Sequence, residues 1–300
     1  MKLANLYLIG APKAGTTSIA AWLGEHPDVF WSTPKEPFYW ASDFPAQRHH
    51  HGFDSLDEYA SLFASPEAQS ARWRGDGSTT YLYSRSAVPD ILTEVGDQAR
   101  FVVAVRNPAE LVVSYHRTQL LALNEVQSDF VHAWRESLAG APRNTDALDP
   151  KLLDYPMVGA QGAALQRLLR SLDRDRLFVI VFDDLRDEPA RVWEDLMRFL
   201  DLPSDNERDF RTENESNRAI RWPALRQMVQ RPPRLLKRPV SAIRNAAVRS
   251  NSRILRKLRS KLWQTSERPA ISDDVYAELR EYFSPDVKLL QEIVGRSLPW

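Results

Sequence analysis

Three short runs of apolar residues dominate the pattern along the chain, and each leads into a segment with helical spacing. Leu3-Ala4-Asn5-Leu6-Tyr7-Leu8-Ile9 is followed by a turn over Gly10 to Gly15 and a helix over Thr16 to Glu25, ended near His26-Pro27. Phe101-Val102-Val103-Ala104-Val105 is followed by Arg106-Asn107-Pro108 and a helix from Ala109 to about Leu123. Leu177-Phe178-Val179-Ile180-Val181-Phe182 leads through Asp183-Asp184-Leu185 into a helix with Val192, Leu196, Phe199 and Leu200 at core-facing spacing. Continuous apolar strands of this length are buried on both faces, which requires a parallel sheet with helices above and below. Such sheets bind ligands at the carboxyl ends of their strands. With no internal repeat and no low-complexity linker, the pattern predicts a single α/β domain over residues 1–300.

Composition narrows the function classes. The 300 residues are 43% hydrophobic and 27% charged, which excludes a disordered polymer and a membrane bundle. Forty basic residues balance forty acidic ones, which argues against a nucleic-acid binder. The absence of cysteine removes disulfides, thiolate metal sites and thiol nucleophiles. The apolar run at Leu6-Tyr7-Leu8-Ile9 is too short for a signal-peptide core or a membrane span, so the expected address is cytoplasmic. The neutral total is unevenly spread: Arg231 to Lys261 holds eleven Lys and Arg and no Asp or Glu.

The first turn carries the clearest chemistry. Gly10-Ala11-Pro12-Lys13-Ala14-Gly15-Thr16-Thr17-Ser18 lets the backbone approach an anion, with a helix N-terminus, two threonine hydroxyls and the Lys13 charge facing it. A nucleoside-triphosphatase loop places its lysine directly after the second glycine. Here Gly15 is followed by Thr16, and the lysine comes two residues earlier at Lys13. Asp183-Asp184 is the nearest candidate to hold Mg²⁺, and an acidic pair at a strand end is also a common helix cap. The loop reads as a site for a phosphate-like group without a metal.

Lys-x-Gly-Thr-Thr at Lys13–Thr17, directly after an apolar strand, resembles the 5′-phosphosulfate loop of sulfotransferases that use 3′-phosphoadenylyl sulfate (PAPS). The stretch Phe101–Pro108, with Ser114 eight residues after Arg106, is similar to the family's 3′-phosphate site. Phe182-Asp183-Asp184-Leu185 with Pro189 and Phe199–Pro203, and the closing stretch Leu279–Leu290, resemble later family segments in the same order. The resemblance implies a P-loop-NTPase-like central parallel sheet flanked by helices, with PAPS as co-substrate and no metal. Gly10, Pro12, Lys13, Ala14, Gly15, Thr16, Thr17 and Ser18 would hold the phosphosulfate, Lys13 acting also in catalysis. Arg106 and Ser114 would hold the 3′-phosphate, the arginine in a bidentate grip that a lysine cannot make.

The base distinguishes the branches. Cytosolic small-molecule members use a histidine upstream of the 3′-phosphate strand, and Gly52 to Val105 contains none. Ser18, where those members often carry tryptophan, points the same way. Lys35-Glu36-Pro37-Phe38-Tyr39-Trp40 resembles the heparan-sulfate-type branch, which implies Glu36 as general base with Lys35 as electrostatic partner. Gly75-Asp76-Gly77-Ser78-Thr79-Thr80-Tyr81 falls where that branch often has Glu-Lys-Ser-Pro-x-Tyr, making Asp76 the second candidate base. Gly77 in place of the lysine leaves the site one cation short of the glycan enzymes.

The expected reaction is sulfuryl transfer from PAPS to a hydroxyl, with an amine as second choice, on a glycan, glycolipid or small metabolite. A P-loop kinase or nucleotidase and a non-catalytic, membrane-associated nucleotide-binding module are the rival classes. Three further features carry bland expectations: His49-His50-His51 as a solvated loop, His116 as a satisfied surface histidine, and the tryptophans as core or acceptor-pocket lining. The segment at about 231–262 reads as an amphipathic helix pair, a flap over the site or a contact for an anionic membrane surface. Arg218, which follows Glu213–Asn217, is a candidate second phosphate contact.

Overall fold

The computed structural model describes residues 2–140, 147–204, 210, 218–220, 263–265 and 271–300. The basic segment at 231–262 and the stretch Glu213–Asn217 lie outside the described residues. In chain order the elements are β1 (Leu6–Gly10), α1 (Thr16–Gly24), β2 (Val29–Trp31), α2 (Pro45–His51), α3 (Leu56–Ser61), α4 (Pro66–Ser70) and β3 (Trp73–Asp76). There follow α5 (Ala87–Val95), β4 (Arg100–Val105), α6 (Pro108–Leu121), α7 (Phe130–Leu138), α8 (Tyr155–Gly159), α9 (Gln161–Leu168), β5 (Leu177–Val181), α10 (Phe182–Asp187) and α11 (Pro189–Phe199). The last are β6 (Arg218–Ile220), β7 (Trp263–Thr265) and α12 (Asp273–Val294). No helix among the described residues is long and apolar enough to cross a membrane.

Each of the three apolar runs forms a strand. They join two shorter strands in one parallel sheet of order β2-β3-β1-β4-β5, with β1 in the middle. All five residues of β1 are buried, as a strand covered on both faces must be. Tyr7 stands between Asp76 of β3 and Phe101 of β4, and its ring stacks on Phe101 at 5.5 Å. β3 is a strand that hydrophobicity cannot reveal, because Trp73-Arg74-Gly75-Asp76 is half polar yet wholly buried. Arg74 is satisfied by the carbonyls of Leu3 and Ala71 at 2.6 and 2.8 Å. Gly75 is required there, since a Cβ would lie 2.2 Å from the Trp31 ring.

The helices cover the sheet with their apolar faces. On α11, Val192, Trp193, Leu196 and Met197 are buried, and half-buried Phe199 stacks on Phe178 of β5 at 5.4 Å. Phe182 opens α10 instead of closing the strand, so the third run ends one residue early. Asp183 and Asp184 lie in the first turn of α10, where negative charge suits the helix dipole, but the N-cap is Val181 and neither side chain caps the helix. Asp183 accepts from Trp300 Nε1 at 2.7 Å, and Asp184 pairs with Arg191 at 3.4 Å and with Arg296. α12 packs along α9, where the Asp286 carboxylate caps the Gly162 and Ala163 amides at 2.8 Å each. Gly162 permits that approach, because a Cβ would lie 2.5 Å from the Asp286 carbonyl.

Candidate active site

The loops leaving β1, β2, β3 and β4 meet at the carboxyl end of the sheet, where a parallel α/β sheet places its ligands. The loop after β1 turns through two left-handed residues, Lys13 at φ 67° and Gly15 at φ 84°. Gly15 caps α1 without a side-chain hydrogen bond, and the first turn carries no acidic residue. The amides of that turn are thus offered to an anion. A Cβ at Gly15 would lie 2.8 Å from Leu185 Cδ2, so the loop closes only over glycine. Behind it Ala14 and Ser18 are buried.

Pro12, Lys13, Thr16 and Thr17 border a cavity of ≈ 360 Å³, together with Glu36. Its far wall includes Phe38, Phe44, Tyr115, Gln119 and Met157, a mixture of apolar and hydrogen-bonding groups suited to an organic ligand. Lys35 joins the two sides: its Nζ lies 2.8 Å from Glu36 Oε1 and 3.2 Å from Thr16 Oγ1. Thr79 Oγ1 donates to the other Glu36 oxygen at 3.3 Å. The Lys35 stem crosses Gly77, where a Cβ would stand 3.1 Å from Lys35 Cε. Room for this lysine therefore comes from the glycine at the position where the heparan-sulfate-type pattern has its own lysine.

Asp76 does not border the cavity. It is fully buried, and its oxygens accept from Tyr59 and Tyr81 hydroxyls at 3.0 and 2.9 Å, from Ser78 Oγ at 2.6 Å and from the Ser78 amide at 3.0 Å. Burial pushes its carboxyl up to about 6. Of the two candidate carboxylates, only Glu36 borders the cavity.

Arg106 sits where β4 ends. Its main-chain N–H and C=O are both bonded by the Gln161 side-chain amide, at 2.9 and 2.7 Å, as if by another strand. The guanidinium lies 4.6 Å from the Phe182 ring centre and reaches the Lys13 carbonyl at 3.0 Å. Its other edge pairs with Glu110 at 2.7 Å. Ser114 stands one turn beyond Glu110 on α6, half-buried, and no hydrogen bond links it to Arg106 among the described residues. The geometry thus brings Arg106 to the loop. Arg218 lies in β6, paired with Thr265 of β7.

Several partners escaped the sequence pattern. His49–His51 belong to helix α2, not to a loop. His50 and His51 border the cavity, His51 against Phe38 at 4.6 Å, while His49 pairs with Asp54. His116 is buried rather than at the surface: its Nε2 meets the Gln127 carbonyl at 2.8 Å and its ring packs on Phe130 and Tyr155. Trp22, Trp40, Trp73, Trp134 and Trp193 are core residues, and no described tryptophan lines the cavity. Thr79 and Gln161 had no signal in the sequence, because their roles depend on contacts made across 43 and 55 residues. Among the described residues no cluster of three His, Asp or Glu side chains forms a metal-ligand set.

The model of the sulfotransferase family matches residues 5–206. The bifunctional heparan sulfate N-deacetylase/N-sulfotransferase 1 of Xenopus laevis is 26% identical over 202 residues, covering 65% of this chain and 22% of that protein. The human protein of the same name is 26% identical over 198 residues, with the same coverage of each. The match therefore spans less than a quarter of those relatives' length. A sulfotransferase structure from Alicyclobacillus acidocaldarius covers 99% of this chain and 98% of its own, with a TM-score of 0.68 and 18% identity, a likeness of fold.

Proposed function

The chain belongs to the sulfotransferase family, and from that premise we propose that it transfers the sulfuryl group of PAPS to a hydroxyl or amine of an acceptor seated beside Glu36. The observation that carries this reading is the shared cavity: Lys13, Thr16 and Glu36 border one space, and Lys35 touches both Thr16 and Glu36. Donor loop and base are thereby held in one frame.

The donor carries roughly four negative charges, counting a phosphomonoester at up to about −2. The α1 amides, Lys13 and Arg106 are the groups that meet it. The acceptor oxygen or nitrogen attacks sulfur in line with the bridging S–O bond. That bond breaks, and its electron pair leaves with adenosine 3′,5′-bisphosphate. Lys13 offsets the charge developing on the bridging oxygen, and Glu36 takes the acceptor proton, a contribution of roughly 10²–10⁴-fold. Arg106 takes the 3′-phosphate and Ser114 supports it from α6. That relatives are named N-sulfotransferases supports keeping an amine as the second choice of acceptor atom after a hydroxyl. A glycan, a glycolipid and a small metabolite all present one or the other.

The test is a thermal shift with adenosine 3′,5′-bisphosphate beside ATP-Mg²⁺ and adenosine 5′-monophosphate. A ligand at ~100 Kd stabilises the fold by about 2.7 kcal/mol. A shift with the bisphosphate that disappears in Arg106→Ala supports the donor assignment. A shift with ATP-Mg²⁺ alone would replace it with a kinase.

A further inference from the structure

We infer that Asp76 is the positioning residue of the Glu36 loop, its two carboxylate oxygens fixing the Phe38 and Trp40 amides through the hydroxyls of Ser78 and Tyr81. This rests on the proposed role of Glu36 and goes beyond it, because Asp76 touches neither donor nor acceptor space.

The direction of every hydrogen bond in the relay is forced. The Phe38 amide donates to Ser78 Oγ at 2.9 Å, and the Trp40 amide donates to the Tyr81 hydroxyl at 3.2 Å. A hydroxyl has one proton, so each oxygen that receives an amide must send that proton elsewhere. Both protons go to Asp76, from Ser78 to Oδ1 at 2.6 Å and from Tyr81 to Oδ2 at 2.9 Å. An ionised carboxylate accepts at both ends. An amide in its place accepts at one end only, and one of the two hydroxyls loses its acceptor in a fully buried site.

The segment held this way needs holding. Phe38 has φ 57°, a left-handed conformation that a bulky residue adopts only when its surroundings impose it. A third tie runs from the Gly77 amide to the Lys35 carbonyl at 2.9 Å. Tyr59, the other donor to Asp76 Oδ2, stacks on Tyr39 at 4.7 Å. Residues 76–81 therefore grip residues 35–40 at three backbone points, with Glu36 between those at Lys35 and Phe38. The donor loop takes no part in the relay. Loosening the grip displaces the base and leaves the nucleotide site in place.

The experiment compares Ser78→Ala, Tyr81→Phe and Asp76→Asn with the conservative Ser78→Thr, in the full chain. Three readouts are taken: deuterium exchange at the amides of residues 38 and 40, calorimetric Kd for adenosine 3′,5′-bisphosphate, and turnover of PAPS with water as acceptor. A misplacement of about 1 Å costs on the order of a hundredfold in rate. The expected result is faster exchange, kcat lower by about ten- to a hundredfold, and bisphosphate Kd unchanged within about twofold. Ser78→Thr should recover both exchange protection and rate. If Asp76→Asn does not fold, the two milder variants decide alone. Unchanged kcat in Ser78→Ala and Tyr81→Phe despite faster exchange overturns the inference. So does a loss of rate matched by an equal loss of bisphosphate affinity with no recovery in Ser78→Thr. Wild-type protein that neither binds the bisphosphate nor cleaves PAPS overturns the parent reading, and this one with it.

Discussion

The guanidinium of Arg106 donates a 3.0 Å hydrogen bond to the main-chain carbonyl of Lys13, so the end of β4 and the loop after β1 are braced by the side chain assigned to the 3′-phosphate. Removing it takes away a charged phosphate contact and a support of the loop together. Charge-assisted hydrogen bonds contribute about 1.5–3 kcal/mol. Arg106→Ala is therefore expected to weaken adenosine 3′,5′-bisphosphate binding by about 10- to 100-fold. Arg106→Lys should recover only part of this, because an ammonium cannot reach carbonyl and phosphate in one plane. Calorimetry of the three proteins decides, and equal affinities would sink the assignment.

Glu110 competes for the same arginine. Its carboxylate is half exposed and pairs with the Arg106 edge that a phosphate would take. Exposed pairs of this kind contribute about 0–1 kcal/mol. Glu110→Gln should thus tighten bisphosphate binding by up to about fivefold, most clearly at low salt. Weaker binding in the variant would mean that Glu110 aims Arg106 instead of opposing its ligand.

Glu36→Gln keeps the shape of the side chain and removes the proton acceptor. Turnover of PAPS should fall by about 10²–10⁴-fold while bisphosphate affinity stays close to wild type. The informative failure is a wild-type rate in this variant, which would move the base elsewhere in the cavity.

Gly15→Ala tests the loop itself. With φ at 84° and Leu185 Cδ2 2.8 Å from a modest methyl, alanine is strained and crowded at once. A loss of about 1–3 kcal/mol in urea unfolding is expected, with weaker bisphosphate binding. An unaltered midpoint would show that the turn tolerates a Cβ.

Asp76 also predicts a pH dependence of stability. Its folded carboxyl is pushed up to about 6 by burial, against about 3.9 in an unfolded chain. Between those values the folded protein keeps a proton that the unfolded chain has lost, so the stability linked to this group is full below the lower value. It is lost as pH rises through the upper one and is level above about 7. The shift corresponds to about 3 kcal/mol. Denaturation of wild type and Asp76→Asn across pH 4 to 7.5 should therefore give curves that diverge in slope, the wild type losing stability relative to the variant as pH rises. Parallel curves would contradict a buried, titrating Asp76.

Much of this architecture was legible because burial on both faces leaves a plain mark. β1, β5 and the five residues of β4 after Arg100 are unbroken apolar runs, and each announces its own strand and the helix after it. β2 and β3 were not legible. Three residues in β2 give no period, and β3 hides an arginine and an aspartate whose polarity is met by carbonyls and hydroxyls, among them the distant Leu3 carbonyl and Tyr59 hydroxyl, that no local pattern announces. The same division runs through the site. Lys13 and Glu36 sit in local patterns that a chain displays in order. The Lys35–Thr16 contact, the Gln161 brace and the entry of His50 and His51 into the cavity exist only once the chain has folded.

The Asp286 cap on α9 reaches further than the helix it closes. Gln161, the first residue of that helix, clasps the backbone of Arg106, while the next two amides are clasped by Asp286 of α12. The match to the family model runs over residues 5–206, and this buttress stands beyond it at 273–294. A shortened chain ending at 206 would contain every residue assigned to the donor and keep the Gln161 clasp on Arg106, but would lose the Asp286 cap on the helix that carries it. On the proposed donor assignment, affinity for the nucleotide would depend in part on a helix that contributes nothing to the cavity wall, and sequence drift in α12 would be a route by which donor binding changes while its own residues stay the same.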